Sequence, residues 1–255
     1  VELFGTEQNR RYHPIPGAHT ICANKGVVAY RPKTDRPLKE GEGYGVSTVG
    51  IDRLSAQGVS LIITVDTGIT AVEETEYAKK LGITDVVTHM GFIPENPNDP
   101  QFAPFCVAVR QVAEHLKQNG QYLLFETGQE TPVTMLRCFE KVGTDNLGVN
   151  LDTANVILYG RANPVDALDV FGKYVRNIHA KDGKYPTNGH DLGEETRIGE
   201  GKVDFNRLFE KLHEIGYDSY VTIEREIEGE EQNKDILYAK EYLESIIKRV
   251  YGEAK

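Results

Sequence analysis

Four side chains of the kinds that bind divalent cations follow short apolar runs in the C-terminal part of the sequence. They are Glu126, Asp152, His179 and Glu224, and each is the last residue of its run. The intervals between them are 26, 27 and 45 residues, which fits one strand–helix unit each, the last with an insertion. Because parallel strands of a barrel all end on the same face, the four side chains can converge there.

Three carboxylates and one imidazole in a small volume would repel one another and lose hydration at a large cost, which a divalent cation offsets. An acid at a strand end, taken alone, is more often a helix cap or a solvated loop residue. The hypothesis of a metal site therefore depends on all four residues lying at the ends of predicted strands. Oxygen-rich ligation with one histidine favours Mn²⁺, Mg²⁺ or Co²⁺, with Zn²⁺ as a further candidate.

The elements that would position these residues alternate as in a parallel α/β protein. Short apolar runs predict strands at residues 85–90, 121–126, 146–152, 174–179 and 219–224. Helical spacing of apolar residues predicts helices at 103–119, from 131 onward, and at 164–173, 205–215 and 235–250. Gly120 and Gly216 are typical helix stops. The pattern predicts a (β/α)₈ TIM-barrel-like fold that is irregular in its N-terminal half.

The first 84 residues are less regular. Residues 1–4, 27–30 and 61–66 are predicted strands, and residues 73–81 a predicted helix. Residues 5–26 contain no convincing helix and are predicted to form a long loop, which is unusual in a compact domain. With the later runs this makes eight predicted strands, enough for a closed barrel.

Composition narrows the classes of function. The net charge is −10, which argues against a large nucleic-acid footprint because phosphate contacts need a basic surface. The three cysteines are widely spaced without a C-x-x-C pair, so a reduced, cytoplasmic setting is expected. We find no run long enough for a membrane helix and no signal peptide. The start at Val1 suggests a trimmed or engineered chain, or missing leading residues.

Several motifs resemble the xylose-isomerase-like sugar phosphate isomerase/epimerase family over residues 89–255. They are 125–130 (FETGQE), 150–155 (NLDTAN), 178–182 (IHAKD), 222–226 (TIERE), 89–95 (HMGFIPE) and 199–205 (GEGKVDF). The resemblance implies that Glu126, Asp152, His179 and Glu224 bind one divalent metal ion. It also implies that Glu126 and Glu224 are the catalytic acid/base pair, moving a proton at the carbon next to a carbonyl.

The substrate contacts follow the family pattern less closely. Many relatives have a histidine where this chain has Asn155, and an arginine shortly after the metal histidine where this chain has Lys181 and Asp182. We expect His89, Asn155 and Lys181 to bind substrate. The alternative for Lys181 is a surface lysine at a strand end, and the alternative for His89 is a residue that merely closes a strand.

Residues 27–88 resemble a different family, the RecJ-type exonucleases of the DHH phosphoesterase family. The resemblance is carried by 42–45 (EGYG), 51–58 (IDRLSAQG), 61–69 (LIITVDTGI) and 73–83 (EETEYAKKLGI). In that family Asp66 would be a manganese ligand. Where Asp-His-His should follow Val-Thr, however, the chain reads Thr88-His89-Met90. We predict two parts, 1–88 completing the barrel and 89–255 forming its C-terminal part, and interpret the chain as an engineered chimera.

Three functions remain open. The first is a metal-dependent isomerase or epimerase acting on a small sugar or sugar phosphate, with no nucleic-acid or membrane partner and with oligomers allowed. The second is an engineered scaffold without activity, because a foreign first half could keep the metal and lose the substrate. The third is a metal-dependent phosphodiesterase, against which the acidic balance and the missing Asp-His-His both argue.

Overall fold

The computed structural model describes residues 2–5, 19–22, 79, 83–227 and 229–252. Its central sheet contains the strands β3 (Ile83–Thr88), β4 (Tyr122–Glu126), β5 (Leu147–Asp152), β6 (Val175–Ala180) and β9 (Tyr220–Ile223), in that order and parallel throughout. At the two edges, β1 (Glu2–Gly5) pairs antiparallel with β3, and β2 (His19–Cys22) pairs antiparallel with β9. This is the predicted α/β class, a parallel sheet curled into a half-barrel.

Helices follow the strands as expected of βα units. They are α1 (Phe102–Gln118), α2 (Pro132–Val142), α3 (Asn155–Leu158), α4 (Pro164–Phe171), α5 (Phe205–Glu214) and α6 (Glu230–Tyr251). Thr131 caps α2 by accepting a hydrogen bond from the Thr134 N–H at 3.2 Å, and Gly143 ends it in the left-handed conformation. Such local signals explain why the predicted helices lie within a few residues of the observed ones.

A small two-stranded sheet lies beside the main one. It pairs β7 (Asp182–Lys184) with β8 (Glu194–Thr196) in antiparallel register. Neither this hairpin nor the four-residue helix α3 was predicted from the sequence. Both are shorter than the repeat over which apolar periodicity can be recognised.

Some predictions for the N-terminal part were wrong and others cannot be compared. His19–Cys22 forms a strand inside the stretch predicted to be a loop, because its backbone pairs with β9. The predicted strand at 85–90 instead covers Ile83–Thr88, so that His89 lies just beyond it. The strands predicted at 27–30 and 61–66 lie outside the described residues, as does the helix predicted at 73–81 apart from the helical Lys79.

At the ends of the strands, one face of the sheet carries apolar side chains and the other carries polar ones. Phe125, Leu151 and Ile178 belong to the main core, which they share with the helices, and the rings of Phe125 and Phe139 meet edge to face at 5.0 Å. Successive side chains of a strand point to opposite faces. Glu126, Asp152 and His179, each adjacent to one of those core residues, therefore face the barrel interior. Among the described helices, none combines the length and apolar character of a membrane span.

Candidate metal centre

The carboxyl ends of four neighbouring parallel strands carry the predicted ligands. Glu126 and Asp152 end β4 and β5, His179 is the penultimate residue of β6, and Glu224 directly follows β9. One ligand atom from each lies within 4.8 Å of every other. The structure thus brings together all four residues that the sequence analysis singled out, and their role as metal ligands stays a prediction.

The two carboxylate oxygens of Asp152 differ in their hydrogen bonding. Its Oδ1 accepts hydrogen bonds from the N–H groups of Ala154 at 2.9 Å and Asn155 at 2.8 Å. Its Oδ2 is buried and accepts no hydrogen bond from any described residue, and the nearest cation is the Lys181 ammonium at 3.8 Å. A buried carboxylate oxygen without a donor is costly unless it has another partner, so the geometry leaves this atom suited to a cation.

The His179 imidazole is close to both glutamates. Its Nδ1 is 3.4 Å from Glu126 Oε1 and 3.5 Å from Glu224 Oε2, and its side chain is 1% exposed. The strand ends are fixed by their backbones, because the Thr153 N–H donates to the His179 carbonyl at 3.1 Å and the Glu224 N–H to the Ala180 carbonyl at 3.1 Å. The imidazole and the two carboxylates are therefore presented by rigid elements.

The carboxylates of the cluster are buried close together, which favours a positively charged partner. Burial raises the pKa of Asp152 well above its ordinary value, and the Glu224 and Glu126 carboxylates add to the rise while Lys181 opposes it. Burial also tends to raise the pKa of Glu224, but the neighbouring His179 and Lys181 outweigh it and hold that pKa below its usual range. Hard carboxylate oxygens and one imidazole nitrogen in this arrangement fit a divalent cation.

The three residues predicted to bind substrate surround this cluster in different ways. The His89 side chain is 53% exposed, with its Nε2 3.6 Å from Glu126 Oε1, so it lies at the open side. Asn155 is nearly buried and donates from Nδ2 to the Thr127 carbonyl at 3.2 Å. Lys181 is not the surface lysine considered as an alternative, because its side chain is 2% exposed and lies among carboxylates.

Two further acids organise the site and were assigned no role in the sequence analysis. Glu226 Oε2 lies 2.7 Å from Lys181 Nζ. The buried carboxylate of Asp182 accepts hydrogen bonds from four backbone N–H groups, those of Gly183, Gly199, Gly201 and Val203. Gly201 was the available signal, since a Cβ there would overlap the Asp182 carboxyl group and so close an approach of backbone requires glycine.

The chain belongs to the xylose isomerase-like TIM barrel family, whose model matches residues 70–246. A xylose isomerase domain protein from Planctomyces limnophilus is 35% identical with a TM-score of 0.68, covering 71% of this chain and 66% of that one. A second family structure, from Mycobacterium smegmatis in complex with magnesium, is 17% identical with a TM-score of 0.58 and covers 80% of each chain. The inosose dehydratase of Lacticaseibacillus casei is 22% identical over 94% of this chain and 84% of its own length.

The N-terminal part has other similarities. The family model described as histidine carboxylase PI chain matches residues 1–84. Histidine decarboxylase proenzyme from Clostridium perfringens is 72% identical over 46 residues, and the exonuclease RecJ from Bacillus subtilis is 47% identical over 63. The chain spans only 14% of the first protein and 8% of the second.

The RecJ resemblance found in the sequence is thus short and partial, and the decarboxylase resemblance was missed. The barrel family model begins at residue 70, which lies before the predicted boundary at 88/89. That boundary stays a prediction, as does the chimeric origin of the chain.

Proposed function

We propose that this protein is a metal-dependent isomerase or epimerase that moves a proton at the carbon next to a carbonyl of a small sugar or sugar phosphate. The observation that carries the proposal is the convergence of Glu126, Asp152, His179 and Glu224 within 4.8 Å at the carboxyl ends of parallel strands. Active sites of barrels of this kind lie on that face. One bound Mn²⁺, Mg²⁺ or Co²⁺ would polarise the substrate oxygens.

The proton transfer is assigned to the two glutamates. Glu126 Oε1 and Glu224 Oε2 lie 3.4 and 3.5 Å from the His179 Nδ1, so both carboxylates would be within reach of a substrate bound at this centre. One carboxylate removes the proton from carbon and the other returns a proton. Return to the opposite face of the same carbon inverts that centre, whereas return to the former carbonyl carbon, with the hydroxyl proton shifting to the other oxygen, moves the carbonyl. His89, half-exposed at the open side, would contact the substrate.

Asp152 has a different task. With Oδ1 fixed by two N–H groups and no described residue donating a hydrogen bond to Oδ2, Asp152 would hold the cation in place during turnover. Asn155 supports that arrangement with two hydrogen bonds. Its backbone N–H donates to Asp152, and its side-chain amide donates to the Thr127 carbonyl.

Solvent-deuterium exchange tests the proposal directly. The Mn²⁺-loaded protein is incubated in D₂O with a panel of ketoses, aldoses and their phosphates, and label is sought at carbons next to the carbonyl. We expect label with at least one sugar and a loss of about 100-fold or more in Glu126→Gln and Glu224→Gln. Glu241→Gln, an exposed acid on α6, is the matched control and should exchange normally.

Elimination of water is the second candidate, favoured by the similarity to inosose dehydratase over 94% of this chain. It begins with the same proton removal but ends with loss of a hydroxyl group from the next carbon. In the same experiment the product would lose the mass of one water, which distinguishes it from a labelled isomer.

A chimeric scaffold without activity is a further alternative, because the first 84 residues match a different family model. Under this alternative residues 1–88 and 89–255 come from different origins and the barrel lacks part of its substrate pocket. Metal-loaded protein that exchanges no sugar in the panel would support it. Hydrolysis of a phosphodiester instead would favour a phosphodiesterase.

A further inference from the structure

A lysine ammonium lies inside the carboxylate cluster. Lys181 Nζ is 2.7 Å from Glu226 Oε2, 3.4 Å from Glu224 Oε2 and 3.8 Å from Asp152 Oδ2, and its side chain is 2% exposed. Two of these three partners are predicted metal ligands. A lysine this deeply buried is rare unless its charge is compensated, and here acids on three sides compensate it.

The backbone keeps this lysine in place. The Lys181 N–H donates to Thr153 Oγ1 at 3.1 Å, and the same hydroxyl donates to the Lys181 carbonyl. Thr153 directly follows Asp152, so the lysine is tied to the neighbour of a predicted ligand. On its other side, Asp182 anchors the chain through four backbone N–H groups. These contacts fix the start of the side chain, and its 2% exposure leaves the ammonium little freedom to leave the cluster.

We propose that Lys181 is a resident cation of the metal centre, which holds the carboxylates together before a divalent ion binds and thereby lowers the centre's affinity for that ion. The proposal rests on the metal-dependent function proposed above. When all are ionised, as metal binding requires, Glu126, Asp152 and Glu224 carry three negative charges, and one ammonium offsets one of them. A positive charge beside two ligand oxygens repels an incoming dication through an interior of low dielectric.

Glu226 adjusts the strength of this effect. Its side chain is 52% exposed and it makes the shortest of the three ion pairs with Lys181, so it draws the ammonium away from Glu224 and Asp152. Without that carboxylate, the ammonium should bind the two ligand oxygens more closely and compete more strongly with the metal. Lys181 and Glu226 should thus affect metal affinity in opposite directions when each is neutralised.

The experiment measures Mn²⁺ binding by titration calorimetry at pH 8, together with thermal melts in EDTA and in Mn²⁺. Lys181→Met removes the charge and keeps the side-chain length. We expect its metal-free form to melt at a lower temperature than wild type and to bind Mn²⁺ at least about tenfold more tightly. Glu226→Gln should bind Mn²⁺ about threefold more weakly, and Glu241→Gln, the surface control, should match wild type.

The double variant Lys181→Met/Glu226→Gln decides whether the two residues act as a pair. Since Glu226 acts through the ammonium, the double variant should bind Mn²⁺ as tightly as Lys181→Met alone. A folded Lys181→Met protein that binds Mn²⁺ no more tightly than wild type would overturn the proposal. An undiminished effect of Glu226→Gln in the Lys181→Met background would overturn it as well.

Two outcomes separate this proposal from the function on which it rests. If wild type binds no divalent ion, both fail; if wild type binds Mn²⁺ and the variants disagree with the expected signs, only the role of Lys181 fails. Should Lys181→Met not fold, the comparison of Glu226→Gln with Glu241→Gln decides: weaker binding in the first alone supports the proposal, and equal binding overturns it.

Discussion

Asp182 and Gly201 are packed so closely that residue 201 has no room for a side chain, because a Cβ there would overlap the Asp182 carboxyl group. The same carboxylate accepts a hydrogen bond from the Gly201 N–H at 3.0 Å. Around it, residues 199–203 fold into the turn that precedes α5. One buried acid thus organises the segment that follows the β7–β8 hairpin, next to Lys181.

Gly201→Ala should therefore destabilise the protein by about 2–4 kcal/mol, because the methyl group would displace a buried and fully hydrogen-bonded carboxylate. Chemical denaturation followed by circular dichroism measures this change. Gly189→Ala is the matched control, since an added Cβ there meets nothing within 4 Å, and it should change the free energy of unfolding by less than about 0.5 kcal/mol. Equal effects of the two substitutions would contradict this account of Asp182.

Two substitutions of Asp152 should distinguish its structural role from its proposed role as a metal ligand. Asn keeps an oxygen for the Ala154 and Asn155 N–H groups, so Asp152→Asn without metal should be as stable as wild type within about 1 kcal/mol. Asp152→Ala should lose about 1–2 kcal/mol, since those two donors lose their acceptor. Neither variant should be stabilised by Mn²⁺. A normal Mn²⁺ stabilisation of Asp152→Asn would show that the carboxylate is not a ligand.

His89 should affect substrate more than metal. Its imidazole is half-exposed and 3.6 Å from Glu126, close enough to contact a sugar bound beside that glutamate. His89→Ala should lower kcat/KM for any active sugar about tenfold and leave the Mn²⁺ affinity unchanged. His190→Ala, in an exposed loop, is the control and should change neither. A large loss of Mn²⁺ affinity in His89→Ala would place this residue among the ligands instead.

Cys106 and Cys138 should be unreactive in the folded protein. Their sulfur atoms lie 3.9 Å apart in the core between α1 and α2, and burial raises the pKa of both thiols. An unfolded thiol ionises near pH 8.5 while the folded ones stay protonated, so their contribution to stability is lost as pH rises above about 8.5. In a Cys22→Ser variant at pH 8, a disulfide reagent should label two thiols in urea and none in buffer. Fast labelling in buffer would contradict the burial of this pair.

Much of the candidate site could be predicted from the sequence, for a physical reason. Strands covered on both faces are almost wholly apolar, so Glu126, Asp152 and His179 are visible as polar residues at the ends of apolar runs. Parallel strands then bring such ends together without any knowledge of loops. Family motifs added the proposed roles, which the spacing alone could not supply.

The surroundings of the site could not be predicted from the sequence. Burial of Lys181 depends on acids from β5 and from the segment after β9, and a strand-end position says nothing about where a long side chain turns. The first turn of α6 was missed because Glu230 to Asn233 carries no apolar residue that would reveal helical spacing. The strand His19–Cys22 depends on pairing with β9, which is a non-local contact and leaves no local pattern.

The central claim is that four side chains bind one cation, and crystals grown with Mn²⁺ test it most directly. Anomalous scattering should show one strong manganese peak about 2.0–2.6 Å from an oxygen or nitrogen of each of Glu126, Asp152, His179 and Glu224. The peak should disappear in crystals of Glu126→Ala. No peak among these residues, or a manganese ion bound elsewhere in the chain, would contradict the metal centre and the chemistry inferred from it.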